Sequence, residues 1–292
     1  MRPARSKIRS MILPLALLTA TGVLAQSQGT QPQQQPKPGQ EPAAGQKPAA
    51  PQAAPLTLDS APPPVSAEED AAMKAFRDVP MSDVEKKEQA GEDFVKQYPK
   101  SRYAAEVYGW LVKGYLNTGQ VDKMEAAGDK ELTLVPDDAQ TLAILGSTLP
   151  RAMNANTPDP EKRLAKAEQY CRKALDLMPA LVKPANVSDE DFQKAKNQAS
   201  ALAYSGLGLV AFRRGKFADA IPQFEQAVKI DPTPDPVNYY LLGMSNQKAS
   251  HFDDAVAAFT KCAAIPGGLQ ATCKSNIDEA KKLAATQLSA PR

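Results

Sequence analysis

Apolar and small residues recur at helical spacing between residues 201 and 232, in two stripes separated by a short polar stretch. The first stripe consists of Tyr204, Leu207, Gly208 and Ala211, and the second of Ala220, Phe224 and Ala227. Steps of three or four residues place each stripe on one face of an α-helix. Gly215 follows the first stripe and Pro232 the second, where these residue types commonly end helices. The stretch predicts a helical hairpin.

The same pattern returns further along the chain. Gly208 and Gly243 are 35 residues apart, and so are Phe224 and Phe259. The second copy consists of Tyr239, Leu242, Gly243, Phe252, Ala255, Phe259 and Cys262. Because one hairpin cannot bury its own apolar face, tandem copies predict a stack with a continuous core.

The order of aromatic, Leu-Gly, third anchor, Ala, Phe and Pro resembles the tetratricopeptide repeat, whose period is about 34 residues. Ala211 stands where that family usually has Tyr. The resemblance implies an all-α solenoid of four to five hairpins, covering residues 66–289, with a helix that caps its C-terminal end. The expected repeats are 66–99, 103–136, 139–179, 201–232 and 236–266, followed by a capping helix at 269–288.

The earlier repeats depart from the pattern. In the second unit, Met124, Gly128 and Glu131 occupy the usual Ala, Phe and Ala places, which predicts looser packing. About nine residues are inserted in the third unit, with a bulge expected at 154–160. A second insertion, at residues 180–187, precedes a long helix that Ser188 is expected to cap and that extends to about Arg214.

Residues 1–25 have a basic start, a short apolar run and Ala25 before Gln26, the pattern of a cleaved secretory signal peptide. An uncleaved anchor is the alternative; after cleavage no stable membrane span is expected. Residues 26–65 are rich in Pro, Gln and Ala and are expected to form a disordered linker. The protein is therefore expected to be exported, either to the periplasm or outside the cell.

Charge and composition give little support for other classes of function. The chain has 35 basic and 33 acidic residues, so nothing indicates a nucleic-acid partner. His251 is its one histidine, which excludes multi-histidine metal sites. Gly206 and Gly208 match a dinucleotide fingerprint, but within a helix and with no strand before it. We expect no catalytic residue, no cofactor and no metal.

Two of the three cysteines lie at similar distances on either side of a predicted turn at 266–268. If the flanking helices are antiparallel, Cys262 and Cys273 can face each other, and an exported protein would allow a disulfide. Two unpaired core thiols are the alternative. Cys171 takes the place of Phe224 and Phe259 and is expected to be a small buried residue.

In the family that the chain resembles, the first helices of successive repeats line a concave groove that binds extended segments. Carried over to this sequence, the groove would include Lys113, Asn117, Leu209, Phe212, Arg213, Tyr240, Met244, Gln247 and Lys248. The chaperone-binding members of the family grip a C-terminal carboxylate with Lys and Asn. Ser205 and Leu209 depart from that set, so the same ligand is not implied.

The sequence thus predicts a non-enzymatic scaffold of the cell envelope that binds a protein or peptide partner. Two alternatives remain open. One is an accessory domain that binds a small ligand such as a glycan near one of the insertions, and the other is a self-associating spacer.

Overall fold

The structure, a computed structural model, describes residues 65–231 and 233–289. The predicted signal peptide, nearly all of the predicted linker, and Pro232 lie outside these ranges. Within them the chain forms eleven α-helices and no strand. The helices are α1 Ala67–Asp78, α2 Val84–Gln97, α3 Ala104–Thr118, α4 Val121–Leu134, α5 Ala139–Ala152, α6 Pro160–Leu177, α7 Asp189–Arg213, α8 Phe217–Ile230, α9 Pro236–Lys248, α10 Phe252–Ala264 and α11 Gln270–Ser289.

The helices pair into five hairpins, α1–α2 through α9–α10, with α11 packed on α10. Successive hairpins stack, because α2 packs on α3, α4 on α5, α6 on α7 and α8 on α9. The first helices α5 and α7 also pack along each other. The all-α solenoid expected from the sequence is confirmed for the described residues.

Glycines under aromatic rings bring the two helices of a hairpin together. A Cβ added to Gly208 would lie 2.8 Å from Cδ1 of Phe224, and one added to Gly243 would lie 2.6 Å from Cδ1 of Phe259. Both rings are fully buried. The two Phe residues at 35-residue spacing therefore occupy equivalent positions, each seated on the glycine of its own hairpin.

In the third hairpin, Cys171 takes the place of the phenylalanine. A Cβ added to Gly146 or to Gly206 would lie 2.4 Å from Cys171 Sγ. A Cβ on Gly206 would also lie 2.8 Å from the carbonyl oxygen of Gly146. The backbones of α5 and α7 thus meet almost directly, and there is room between them for a sulfur atom but not for a ring.

The helix ends largely follow the predicted signals. Ser188 Oγ accepts a hydrogen bond from the Asp191 amide at 3.0 Å, and α7 extends to Arg213 as expected. Gly215 follows α7 with φ +72°, a left-handed conformation that glycine adopts without strain. Bonds from the Gly215 and Lys216 amides to carbonyls of the last turn close the helix.

Side chains also cap the first two helices. Ser66 Oγ accepts from the Glu69 amide at 3.1 Å, and the Glu69 carboxylate accepts from Ser101 Oγ. That contact ties α1 to the loop before α3. Helix α2 begins at Val84, where the Asp83 side chain accepts from the Lys86 amide at 3.4 Å.

A buried lysine holds the end of α1. Lys87 is 4% exposed, and its Nζ donates to the carbonyl oxygens of Phe76, Arg77 and Val79 at 3.0, 3.3 and 2.8 Å. These carbonyls lie at the C-terminal end of a helix, where the macrodipole favours a cation. Burial lowers the pKa of Lys87, and the nearby carboxylates of Asp78 and Glu106 oppose that shift.

Candidate functional site

The nine residues predicted to line a groove lie on α3, α7 and α9, the first helices of the second, fourth and fifth hairpins. We call the side of the stack formed by α3, α5, α7 and α9 the first-helix face. Three of the nine are exposed, namely Asn117, Arg213 and Lys248. Five are half-buried, namely Lys113, Phe212, Tyr240, Met244 and Gln247.

The ninth residue, Leu209, is 6% exposed. It belongs to the core cluster that contains Phe224 of the same hairpin and Leu242 of the next. Its side chain therefore contributes to packing between hairpins and offers almost no surface to a ligand.

The half-buried aromatic and apolar members also support the fold. The Tyr240 ring lies 6.1 Å from the Phe259 ring, centroid to centroid, and Tyr240 and Met244 pack against the cluster formed by α10 and α11. The Phe212 ring meets the Phe217 ring edge-on at 5.3 Å. Each keeps part of its surface open, so α7 and α9 present a surface that is partly apolar.

A line of polar side chains joins three first helices. Arg151, at the end of α5, reaches Ser205 Oγ of α7 at 3.4 Å and Asp235 Oδ2, just before α9, at 3.2 Å. Ser205 Oγ donates to Asn238 Oδ1 at 2.6 Å, and both residues are buried. These bonds fix the spacing of α5, α7 and α9.

Three basic residues share one register on this face. Arg151, Arg213 and Lys248 each come five residues after a glycine that packs in the core, namely Gly146, Gly208 and Gly243. Arg213 donates to the Met153 carbonyl oxygen at 3.0 Å. Arg213 and Lys248 were among the nine predicted residues and Arg151 was not, although its five-residue offset from Gly146 matches theirs.

An acidic side chain is buried between the second and third hairpins. Glu131 of α4 is 5% exposed, and its Oε2 accepts from Thr141 Oγ1 at 2.5 Å. A Cβ on Gly109 would lie 2.5 Å from Glu131 Oε1, so the carboxyl group rests against the backbone of α3. Burial, together with the charge of Asp138, raises the pKa of Glu131 to about 7, against the opposing effects of Thr141 and Lys113.

Lys113 lies four residues after Gly109 on α3 and interacts electrostatically with this carboxyl group. Burial lowers the pKa of Lys113, and the charges of Asp138 and Glu131 oppose that change. In the sequence, Glu131 stood out only as a departure from the repeat pattern. The space for its carboxyl group comes from Gly109, one of the small residues of α3.

Other residues that could take part in catalysis or ligand binding have structural roles. Asp138 Oδ1 accepts from the Thr141 amide at 2.7 Å and so caps α5. Cys171 is fully buried, which raises the pKa of its thiol to about 12 and keeps it from acting as a thiolate nucleophile. Gly206 and Gly208 lie inside α7, so their match to a dinucleotide fingerprint is accidental.

Arg214, which follows α7, forms ion pairs with α6. Its guanidinium contacts Glu161 Oε1, and Nη1 lies 2.5 Å from Glu168 Oε2. In the described part of the chain, no group of three or more His, Cys, Asp or Glu side chains is arranged to hold a metal ion. No described helix is both long and apolar enough to cross a membrane.

Cys262 of α10 and Cys273 of α11 are joined by a disulfide, with their Cα atoms 5.9 Å apart. Both are fully buried beside the turn between the two helices. The bond attaches α11 to the last hairpin.

Several solved structures are similar to this chain. A thermophilic TPR protein of Thermus thermophilus, TTC0263, has a TM-score of 0.46 at 17% identity, over 73% of this chain and 98% of that one. PilW, a widely conserved type IV pilus biogenesis factor, has a TM-score of 0.46 at 18% identity, over 75% and 90% of the two chains. The MamA RS-1 ArsTM double mutant has a TM-score of 0.49 at 16% identity, over 78% and 100%.

A search of curated proteins finds no match to this chain. The family model described as tetratricopeptide repeat matches residues 201–234, which include all of α8 and the second half of α7. That stretch is one of five stacked hairpins with the same helix order. Residues 201–234 therefore match a tetratricopeptide repeat, and they lie within a solenoid of five stacked helical hairpins.

Proposed function

We propose that this protein is a non-enzymatic scaffold of the cell envelope that binds an extended peptide or protein segment along its first-helix face. The tetratricopeptide repeat fold is that of a protein–protein interaction scaffold. The observation that carries the proposal is the surface of α7 and α9. There Arg213 and Lys248 are exposed beside the half-buried side chains of Phe212, Tyr240 and Met244.

Such a surface suits a peptide with both apolar and acidic side chains. Tyrosine and methionine provide adaptable apolar contacts, and basic side chains at the edge provide orientation and salt-dependent attraction. The polar line from Arg151 to Asn238 holds the helices at fixed spacing, so the surface is formed before a partner arrives. A preformed surface loses less conformational entropy on binding.

The envelope location rests on the sequence pattern of residues 1–25. A cleaved signal peptide predicts that the exported protein begins at Gln26, which N-terminal sequencing of the protein recovered from the envelope or medium would test. A protein that begins at Met1 or Arg2 would contradict cleavage.

Partner binding is tested by pull-down from envelope extract with the wild-type protein and the double variant Tyr240→Ala, Lys248→Glu. We expect the double variant to capture at least about tenfold less partner than wild type, because it removes an apolar contact and reverses a charge. Glu225→Lys on α8, an exposed residue of a second helix, is the matched control and should capture as much as wild type. Equal capture by all three proteins would contradict binding on the first-helix face.

A glycan-type site would need a concave pocket near one of the insertions. Cavities of about 500 and 460 Å³ lie between α1 and α2 and between α4 and α6, and neither is lined by residues 154–160 or 180–187. A self-associating spacer is tested separately. Light scattering of the purified protein would show a mass that rises with concentration if self-association is its main activity.

A further inference from the structure

Helix α11 lies in the place that the first helix of a sixth hairpin would take. It packs on α10 in the same order in which α9 packs on α8. Gln247 Nε2 of α9 donates to Glu279 Oε1 of α11 at 3.2 Å. These two residues are 32 positions apart, close to the 33 that separate Ser205 from Asn238, the hydrogen-bonded pair of α7 and α9. Helix α11 therefore continues the series of first helices as well as capping the stack.

The apolar side chains of α9 that belong to the proposed binding surface rest partly on α11. Tyr240 and Met244 pack against a cluster that contains Phe259 of α10 and Ala280 of α11, and Ile277 of α11 packs against the same cluster. Tyr240 and Met244 are half-buried, so part of each remains open on the first-helix face. The C-terminal helix thus borders the surface on which a partner is proposed to bind.

One exposed lysine of α11 lies on the side of the helix next to α9. Lys282 comes three residues after Glu279, and residues at this spacing are neighbours on a helix surface. Lys281 comes two residues after Glu279, which puts it roughly 200° around the helix, on the far side from α9. Both lysines are exposed. They carry the same charge on one helix but differ in whether they face the first-helix face.

Lys282 extends a line of basic residues across three helices. Arg213, at the end of α7, precedes Lys248, at the end of α9, by 35 residues, and Lys282 follows Lys248 by 34. All three are exposed. Asp278 and Glu279, about one turn before Lys282, place two exposed acidic side chains against these three basic ones. The line keeps an excess of positive charge, which favours a partner with carboxylates.

Given the proposed binding of a segment along the first-helix face, we propose that α11 is the last helix of that face and that Lys282 contacts an acidic side chain of the bound segment. The segment presents apolar residues to Tyr240 and Met244 and carboxylates to Lys248 and Lys282. Packed helices lie about 8–10 Å apart, a distance that about three residues of an extended chain cover at ~3.3 Å each. Carboxylates three residues apart therefore reach both lysines.

The test is fluorescence anisotropy of the purified protein with a fluorescein-labelled peptide that repeats Glu-Leu-Pro. This probe carries a carboxylate at every third residue, and its prolines favour an extended backbone. Lys282→Glu should weaken binding on the order of tenfold, because it places a like charge beside the carboxylates of the peptide. Lys281→Glu is the matched control, since it changes the net charge equally on the far side of the same helix. Its affinity should stay within about twofold of wild type, because a distant exposed charge is screened by salt.

A second peptide, with Gln in place of every Glu, should bind wild type and Lys282→Glu equally. Equal weakening of Glu-Leu-Pro binding by Lys281→Glu and Lys282→Glu would overturn the proposal, because net charge rather than a contact would then govern affinity. Wild-type affinity of Lys282→Glu, with Lys248→Glu still weakened, would also overturn it, but would leave the first-helix face as a binding surface that ends at α9. If the Glu-Leu-Pro peptide does not bind wild type, the acidic partner is ruled out, whereas the proposed function is decided by the pull-down from envelope extract.

Discussion

Glycines set how closely neighbouring helices approach in this protein, and Gly206 is the most tightly constrained of those described. An added Cβ would meet Cys171 Sγ at 2.4 Å and the Gly146 carbonyl oxygen at 2.8 Å. The second contact is with backbone, which cannot rotate away as a side chain can. The α5–α7 contact therefore depends on the absence of a single methyl group.

Gly206→Ala should destabilise the protein by about 1–3 kcal/mol, although alanine is the better helix former. Urea unfolding measures the change. Gly268→Ala is the control, because an added methyl there has no atom within 4 Å, and its free energy of unfolding should stay near that of wild type. A stabilised Gly206→Ala would show that α5 and α7 are further apart than described.

Glu131 makes stability depend on pH. Its pKa is raised to about 7 in the folded protein, above the ordinary value of about 4.3 in an unfolded chain. The neutral carboxyl group is therefore favoured by folding. Its contribution is complete below about pH 4 and is lost as the pH rises through 7.

Glu131→Gln keeps an acceptor for the Thr141 hydroxyl but does not titrate. Between pH 4 and pH 8, wild type should lose up to roughly 3 kcal/mol of stability relative to this variant. Urea unfolding at several pH values measures the difference, with Glu225→Gln on α8 as the exposed control. If the difference in free energy of unfolding between wild type and Glu131→Gln stays constant across this range, the raised pKa of Glu131 is contradicted.

At the scale of elements, the hairpins with the clearest pattern were the easiest to predict. The spacing of Gly208 with Phe224 and of Gly243 with Phe259 identified α7 to α10, and the structure seats each ring on its glycine. The long α7 followed from Ser188 and Gly215, since capping and left-handed turns are local properties of the chain. In contrast, the reach of Arg151 to Asp235 depends on how three hairpins stack, which no local signal encodes.

The cysteines join the last two helices. Because Cys262 and Cys273 are paired, titration of the purified protein under denaturing, non-reducing conditions should find one thiol per chain, that of Cys171. Reduction should then lower the free energy of unfolding by roughly 3 kcal/mol in the chain-entropy account, because the unfolded chain regains freedom. Cys171→Ala should leave no titratable thiol before reduction. Three thiols in the untreated protein would rule out the pairing.

At the scale of the whole molecule, the sequence predicted which helices form the first-helix face but not how much of it is open. Leu209 is covered because α7 packs on several helices, whereas Lys248 ends α9 and stays exposed. Burial of this kind comes from the stacking of the whole chain. The proposed binding surface is therefore narrower than the nine predicted residues, and it centres on the exposed ends of α7 and α9.

Site-specific photo-crosslinking in the intact envelope tests the central claim most directly. A crosslinking residue is placed at Lys248, at the end of α9, or at Glu225 on α8, and both sites are exposed. Binding on the first-helix face predicts a discrete adduct from position 248 that is absent from position 225. Adducts of equal yield from both positions, or from position 225 alone, would contradict it.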